Sequence, residues 1–258
     1  MVTGYGSKGP WAGKPGQDLL IQALSGLTYL SGTKNDTPTP FGLAIADMIC
    51  GAHLAQGILA GLIQKGKTGG GMLVEVSLLE SILDFQFELI TTFLNDGGQL
   101  PRRGEAKGTG HAYLKAPYGI YRTKDSYLAL AMGNLRHIAG VIGWNAIDQY
   151  PDEESWYTRK DEIVRSLTAL LQQKTTADWI AVLEPNDIWC SEVLNYKTLV
   201  NHESFEVLGM DQNIDLPDGR TFRTTRCPIR IDGEKLYSSV PAPKAGAHTT
   251  SIDNEMTL

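Results

Sequence analysis

The chain has 258 residues, 42% hydrophobic and 20% charged, an ordinary balance for a globular protein able to bury a sizeable core. Its formal net charge of −6 argues against a nucleic-acid partner, because phosphate backbones are held by an excess of Lys and Arg. Cys50, Cys190 and Cys227 are widely spaced and odd in number, which argues against a disulfide framework or a zinc cluster and makes a reducing cytoplasm the simplest setting.

In chain order, Val2-Thr3 reads as the end of a strand, so a preceding segment is expected. Residues 4–16 carry Gly4, Gly6, Gly9, Pro10, Gly13, Pro15 and Gly16 and form a loop. Asp18 is placed to cap a helix over 19–29. After a second loop at 31–40, a helix is expected over 45–64. Ala46, Gly51, Ala52, Ala55, Gly57, Ala60 and Gly61 stud it, and the glycines among them are poor helix formers whose cost predicts compensating burial against a close neighbour. Its apolar stretch 45–63 includes Asp47, His53 and Gln56 and reads as a buried helix rather than a membrane span, so no membrane partner is expected. Residues 65–71 read as a basic glycine turn, 73–77 as a short strand and 78–94 as one long apolar helix. A long loop at 95–117 breaks the pattern. Strands follow at 118–121 and 127–132 around a turn at 123–126, then helical periodicity over 134–184 with charged breaks near 151–161. Residues 187–215 mix a short strand with helical spacing over 193–209. A strand is expected at 221–231, and the tail 240–258 is rich in Pro, Ala and Thr.

Three features bear on chemistry. Gly61-Leu62-Ile63-Gln64-Lys65-Gly66-Lys67-Thr68 matches the P-loop pattern letter for letter. That mechanism needs a strand before the loop and a helix after it, and here the order is reversed, so a glycine-rich helix terminator is the better reading. Asp47 sits in an apolar, small-residue helix, where a carboxylate must be paired, capped or used. Its spacing leaves open a helix cap and a nucleophile that attacks a thioester. The segment Gly104-Glu105-Ala106-Lys107-Gly108-Thr109-Gly110-His111 is either a mobile lid or an ordinary linker between two lobes. His53, His111 and His248 have no metal-ligand spacing, and no metal is expected.

Taken together and in order, these segments resemble the CaiB/BaiF family, the family III CoA transferases. The resemblance rests on Gly4-Tyr5-Gly6 with Gly9-Pro10, on Asp18-Leu19-Leu20 with Ser25-Gly26-Leu27, and on Ile45-Ala46-Asp47 with Gly51 and Gly57-Ile58-Leu59-Ala60. It continues through Thr68-Gly69, Val74-Glu75-Val76-Ser77-Leu78-Leu79-Glu80, Pro117-Tyr118-Gly119 and Ala131-Met132-Gly133-Asn134. It ends in Arg226-Cys227-Pro228-Ile229-Arg230 and Ala242-Pro243-Lys244-Ala245-Gly246-Ala247-His248-Thr249.

The resemblance implies an α/β fold: a Rossmann-like large domain, incomplete at its N-terminus, with an inserted smaller α+β domain, in an interlocked homodimer. On that reading residues 1–94 begin the large domain, 95–116 form the glycine-rich linker, 117–186 the small domain, and 187–258 return to the large one. It implies CoA transfer between carboxylic acids through an anhydride and a thioester on Asp47. CoA or acyl-CoA enters as substrate, a small carboxylic acid as its partner, and no cofactor is tightly bound. Tyr5 matches a position near the bound acid. Gly108, Thr109, Gly110 and His111 match the loop that shields the anhydride from water. Thr3 stands where some members have a CoA-contacting lysine, so that cofactor contact is altered. The family's usual leading strand–helix units, with most of its CoA contacts, lie outside these 258 residues. A non-catalytic homologue, a split enzyme whose partner chain supplies that part, and an acyl-CoA racemase of the same superfamily are the alternatives.

Overall fold

The computed structural model describes residues 1–216 and 218–256; the last two residues of the Pro-, Ala- and Thr-rich tail lie outside the described residues. The chain divides into two compact units, residues 1–193 and 194–258.

The first unit opens with β1 (Val2–Thr3), which pairs in parallel with β2 (Val76–Ser77). Parallel neighbours need a long crossover, and here it carries α1 (Asp18–Leu24) and α2 (Ile45–Thr68). Of the expected 73–77 strand, Val76 and Ser77 pair, with Val2 and Thr3. The expected helix over 19–29 is two pieces. Gly26, at φ +83°, breaks the α-helical path, and Leu27–Tyr29 form a 3-10 turn. The expected turn at 65–71 is also corrected. The helix runs on through Thr68 and stops at Gly69, whose φ of +75° lets its N–H reach the Lys65 carbonyl at 2.8 Å. Lys65 and Lys67 therefore sit in the last turn, where the exposed carbonyls favour cations.

Two helices replace the single one expected over 78–94: α3 (Leu78–Phe85) and α4 (Phe87–Asn95). Ser77 starts α3 by accepting the Glu80 N–H at 3.1 Å, while its hydroxyl donates to the Glu80 carboxylate. The break falls at Gln86, which is 5% exposed and donates to the Ile82 carbonyl at 3.0 Å. A small core joins Ile21, Leu27, Ala46 and Ile82, with Tyr5, Ile45 and Leu78 packed against it. The expected burial of α2 does not hold within this chain. Only Ala46, Cys50 and Gly61 are buried, while Met48, Ile58, Leu59, Leu62 and Ile63 are exposed. Among the described residues α2 is the one helix long and apolar enough to cross a bilayer, by length and composition only; in the fold it packs on α1, α3 and β2.

Further along the same unit, β3 (Gly119–Arg122), β4 (Tyr127–Leu130) and β5 (Cys190–Glu192) form an antiparallel sheet in that order. Side chains alternate across it. Tyr121, Leu128 and Leu130 face the core, whereas Ile120 and Tyr127 are exposed. Four helices, α5 (Leu135–Ile142), α6 (Glu153–Thr158), α7 (Lys160–Leu171) and α8 (Thr176–Leu183), supply Leu135, Ile138, Trp156, Ile163, Leu167 and Trp179 to this larger core. Thr175 and Asp178 close a capping box at the start of α8.

In the second unit, α9 (Tyr196–Leu199) and α10 (Glu203–Leu208) replace continuous helicity over 193–209. The strand β6 (Asp211–Asp215) pairs with β7 (Thr221–Thr225), and β8 (Arg230–Ile231) pairs with β9 (Glu234–Lys235). The single strand expected over 221–231 is thus two. Arg226 lies between them, 4% exposed, and its guanidinium donates to the carbonyls of Leu208 at 2.9 Å and Gly209 at 2.6 Å. The tail ends in α11 (Thr249–Met256).

Candidate active site

Asp47 is the third residue of α2, not its cap. The N-cap position is Ala44, which has no side-chain acceptor to offer. The carboxylate of Asp47 is exposed, and among the described residues its side chain makes no hydrogen bond or ion pair. A carboxylate left free in the first turn sits where the unpaired N–H groups of the helix favour negative charge.

The cap comes from another helix. Asp18, the first residue of α1, accepts the backbone N–H of Ala46 at 2.7 Å and of Asp47 at 3.2 Å through Oδ2. The expectation that Asp18 caps its own helix is therefore corrected: Gln17 holds that position and makes no side-chain cap bond. Gln22, one turn on from Asp18 and 2% exposed, donates to Asp18 Oδ1 at 2.5 Å and to the Leu43 carbonyl at 3.1 Å, and accepts the Phe41 N–H at 2.8 Å. Apart from the Asp18–Gln22 pair on one helix, nothing in a one-dimensional pattern assigns these partners, which lie 19 to 29 residues away.

Tyr5 lies on the core beneath the start of α2. It packs on the small core that contains Ala46 and Ile45, meets Trp11 edge-on at 6.1 Å, and points its hydroxyl at the Pro15 carbonyl 3.5 Å away. Thr3 accepts the Gly6 N–H at 2.9 Å and so closes the turn that presents Tyr5.

Residues 108–111 lie on the other core of the unit. The Gly108 carbonyl accepts the Ile120 N–H at 2.8 Å, and Thr109 bridges Gly119 as an added antiparallel rung. Gly108 has φ +90°, and a Cβ there would overlap the Ile120 carbonyl oxygen, so glycine is required. A Cβ at Gly110 would strike the Tyr118 ring. His111 accepts the Tyr113 N–H on Nδ1 at 3.2 Å and holds Nε2 4.0 Å from Glu88 Oε2. Adjacent residues of α7 grip the segment at two points. Asp161 Oδ1 accepts the Ala106 N–H at 2.8 Å, and Lys160 Nζ donates to the carbonyls of His111 at 2.8 Å and Leu114 at 3.1 Å. Lys160 is 7% exposed, and burial pulls its pKa down, with Asp161 opposing. These clamps were invisible in the sequence, where Lys160-Asp161 reads only as a charged break.

Two other features do not include Asp47. An apolar cavity of about 440 Å³ is lined by Tyr29, Leu89, Ile90 and Phe93; Arg103 at its wall donates to the carbonyls of Ser31, Asp36 and Thr37. The P-loop-like stretch is helical from Gly61 to Thr68, so its amides bond within the helix instead of opening as a phosphate cradle. Among the described residues no three His, Cys, Asp or Glu side chains converge as metal ligands.

The fold therefore defines an α/β protein that carries the exposed carboxylate of Asp47 at the start of α2, by one core, and the glycine-anchored segment 108–111 by the other; within this chain no contact brings the two together among the described residues. The model of CoA-transferase family III matches residues 1–249, and the chain belongs to that family. It is 26% identical to the succinyl-CoA:glutarate CoA-transferase of Homo sapiens, over 99% of this chain and 58% of that protein. It is 24% identical to the succinate–glutarate CoA-transferase of Agrobacterium fabrum, over 99% of this chain and 64% of that one. In three dimensions it matches a CAIB/BAIF family protein from Brucella suis with a TM-score of 0.79 at 24% identity, covering 99% of this chain and 66% of the other. The chain thus spans about three-fifths of the length of these curated relatives.

Proposed function

We propose that this chain carries the nucleophile of a CoA transferase, Asp47, and moves CoA between carboxylic acids. The observation that carries the reading is the exposed, unpaired carboxylate of Asp47 in the first turn of a 24-residue helix whose N-terminus is capped from elsewhere. A carboxylate engaged in a salt bridge would have to break it before attacking; this one does not.

The reaction balances in four displacements. Asp47 Oδ attacks the thioester carbon of the donor acyl-CoA, the C–S bond breaks, and CoA leaves as thiolate from a mixed anhydride. The thiolate attacks the Asp47 carbonyl, expels the donor carboxylate and leaves an aspartyl-CoA thioester. The acceptor carboxylate attacks that thioester, releasing thiolate and forming a second anhydride. The thiolate then attacks the acceptor acyl carbon, which frees Asp47 and the new acyl-CoA. Both anhydrides must be kept from water. Residues 108–111 and Tyr5 are the groups proposed to line that space, in an assembly with a second copy or a partner chain.

The names of the relatives make succinyl-CoA the first donor to try and a dicarboxylic acid the first acceptor. Incubating the protein with succinyl-CoA and quenching with hydroxylamine should convert the peptide bearing Asp47 to a hydroxamate, seen by mass spectrometry. Asp47→Ala should lose transfer by at least about 10³-fold, the scale of removing a covalent nucleophile, while melting within a few degrees of the parent. Modification of another carboxylate would overturn the assignment.

A further inference from the structure

Asp18 is the only side chain that holds the backbone of Asp47 among the described hydrogen bonds. The residue in the capping position of α2, Ala44, cannot do so, and the carboxylate that replaces it belongs to α1. Both Asp18 oxygens are committed: Oδ2 to the amides of Ala46 and Asp47, Oδ1 to Gln22. Gln22 is almost fully buried and tied in turn to Phe41 and Leu43, the residues that lead into α2. Asp18, Gln22, the lead-in and the first turn of α2 therefore form one closed hydrogen-bonded ring, and Asp47 is the next group along it. Reactive groups held by such supporting contacts lose rate steeply when displaced by an ångström.

We infer that Asp18 is a positioning residue for Asp47: it sets the rotation and depth of the first turn of α2 and so aims the attacking carboxylate. The inference rests on the reading of Asp47 as nucleophile and adds a residue that does not itself touch substrate. The design of the ring also predicts its own repair. In Asp18→Asn/Gln22→Glu the asparagine oxygen still accepts from Ala46 and Asp47 and its NH₂ donates to the new side chain, which burial keeps as the neutral acid: its hydroxyl donates to the Leu43 carbonyl in place of the Gln22 NH₂, and its other oxygen accepts from Phe41.

The test compares the parent, Asp18→Ala and the repaired double variant by two measurements. Amide exchange is read at Ala46 and Asp47, with the Leu78–Phe85 helix as an internal standard for the fold. The rate of CoA capture on the Asp47 peptide from succinyl-CoA is read together with its half-saturating concentration. The expected result is loss of protection at 46–47 in Asp18→Ala with α3 unchanged. Capture should be at least tenfold slower at a half-saturating concentration within about twofold of the parent's, and the double variant should recover both protection and rate. Unchanged protection at 46–47 overturns the inference, and so does loosened protection with an unchanged capture rate, which would make Asp18 a cap and nothing more. If the parent captures no CoA at Asp47, the nucleophile reading fails and takes the inference with it, and the exchange data alone then describe the cap.

Discussion

Lys160 illustrates how a single side chain decides what a loop can do. Its ammonium is nearly closed off from water and held between two carbonyls, His111 and Leu114. Removing it leaves both carbonyls without their donor, and bonds to a charged group each contribute roughly 1.5–3 kcal/mol. Part of that is already offset by the cost of burying the charge. Lys160→Met is therefore expected to destabilise the chain by about 1–3 kcal/mol in urea unfolding and to expose residues 106–114 to limited proteolysis. The pH dependence carries the sign. Burial lowers the Lys160 pKa in the folded chain below that of the unfolded chain. Between the two values the unfolded chain binds more protons, so folding stability rises with pH through that alkaline window. Lys160→Met should lack this rise, and the stability gap between parent and variant should widen as pH approaches the ordinary lysine value. A gap independent of pH would mean that the ammonium is not desolvated.

At the scale of elements, residues 104–111 were open to two readings, a mobile lid or a linker. The structure gives that segment a strand-like rung on β3 and two anchors on α7, at Asp161 and Lys160. Gly108 is the test. A side chain there would be strained at φ +90° and would strike the Ile120 carbonyl. Such backbone strain costs on the order of 1–3 kcal/mol, and the Gly108–Ile120 hydrogen bond would be lost as well. Gly108→Ala should lower the melting temperature by several degrees, whereas Gly66→Ala, inside α2 with open space at its Cβ, should raise it slightly. The reverse order would show that the rung on β3 is not formed. The same helix settles the P-loop resemblance. Because Lys67 lies in the last turn of α2, Lys67→Ala should leave CoA capture unchanged, and ATP should not raise the melting temperature; an ATP shift lost in that variant would reopen the nucleotide reading.

For the molecule as a whole, the most telling feature is how little of α2 the chain itself covers. Leu59 and Ile63 are 60% and 62% exposed, alongside Met48, Ile58 and Leu62. A contiguous apolar helix face of this kind seldom stays wet in a soluble protein. The isolated chain is expected to self-associate at micromolar concentration in sedimentation, and Leu59→Lys/Ile63→Lys should shift it towards monomer. A chain that stays monomeric at that concentration would contradict the expectation.

Local chemistry was legible in the sequence wherever the signal was local. Apolar periodicity located α2, the β3–β4 hairpin and the helices of the larger core, and the order of short motifs identified the family over residues 1–249. The same order singled out Asp47 and Tyr5; Tyr5 packs on the small core that holds Ala46, the residue before Asp47. What the sequence could not determine depended on partners far along the chain. The partner of β2 is β1, more than seventy residues away. The end of the 19–29 helix was set by a left-handed glycine, and the cap of α2 by a carboxylate on another helix. The grip on residues 106–114 came from two consecutive charged residues of α7 that look like a solvated helix start. In each case the deciding interaction is a backbone amide or carbonyl satisfied across space. Which group satisfies it is fixed by tertiary packing, because residue type announces the capacity to bond and not the partner.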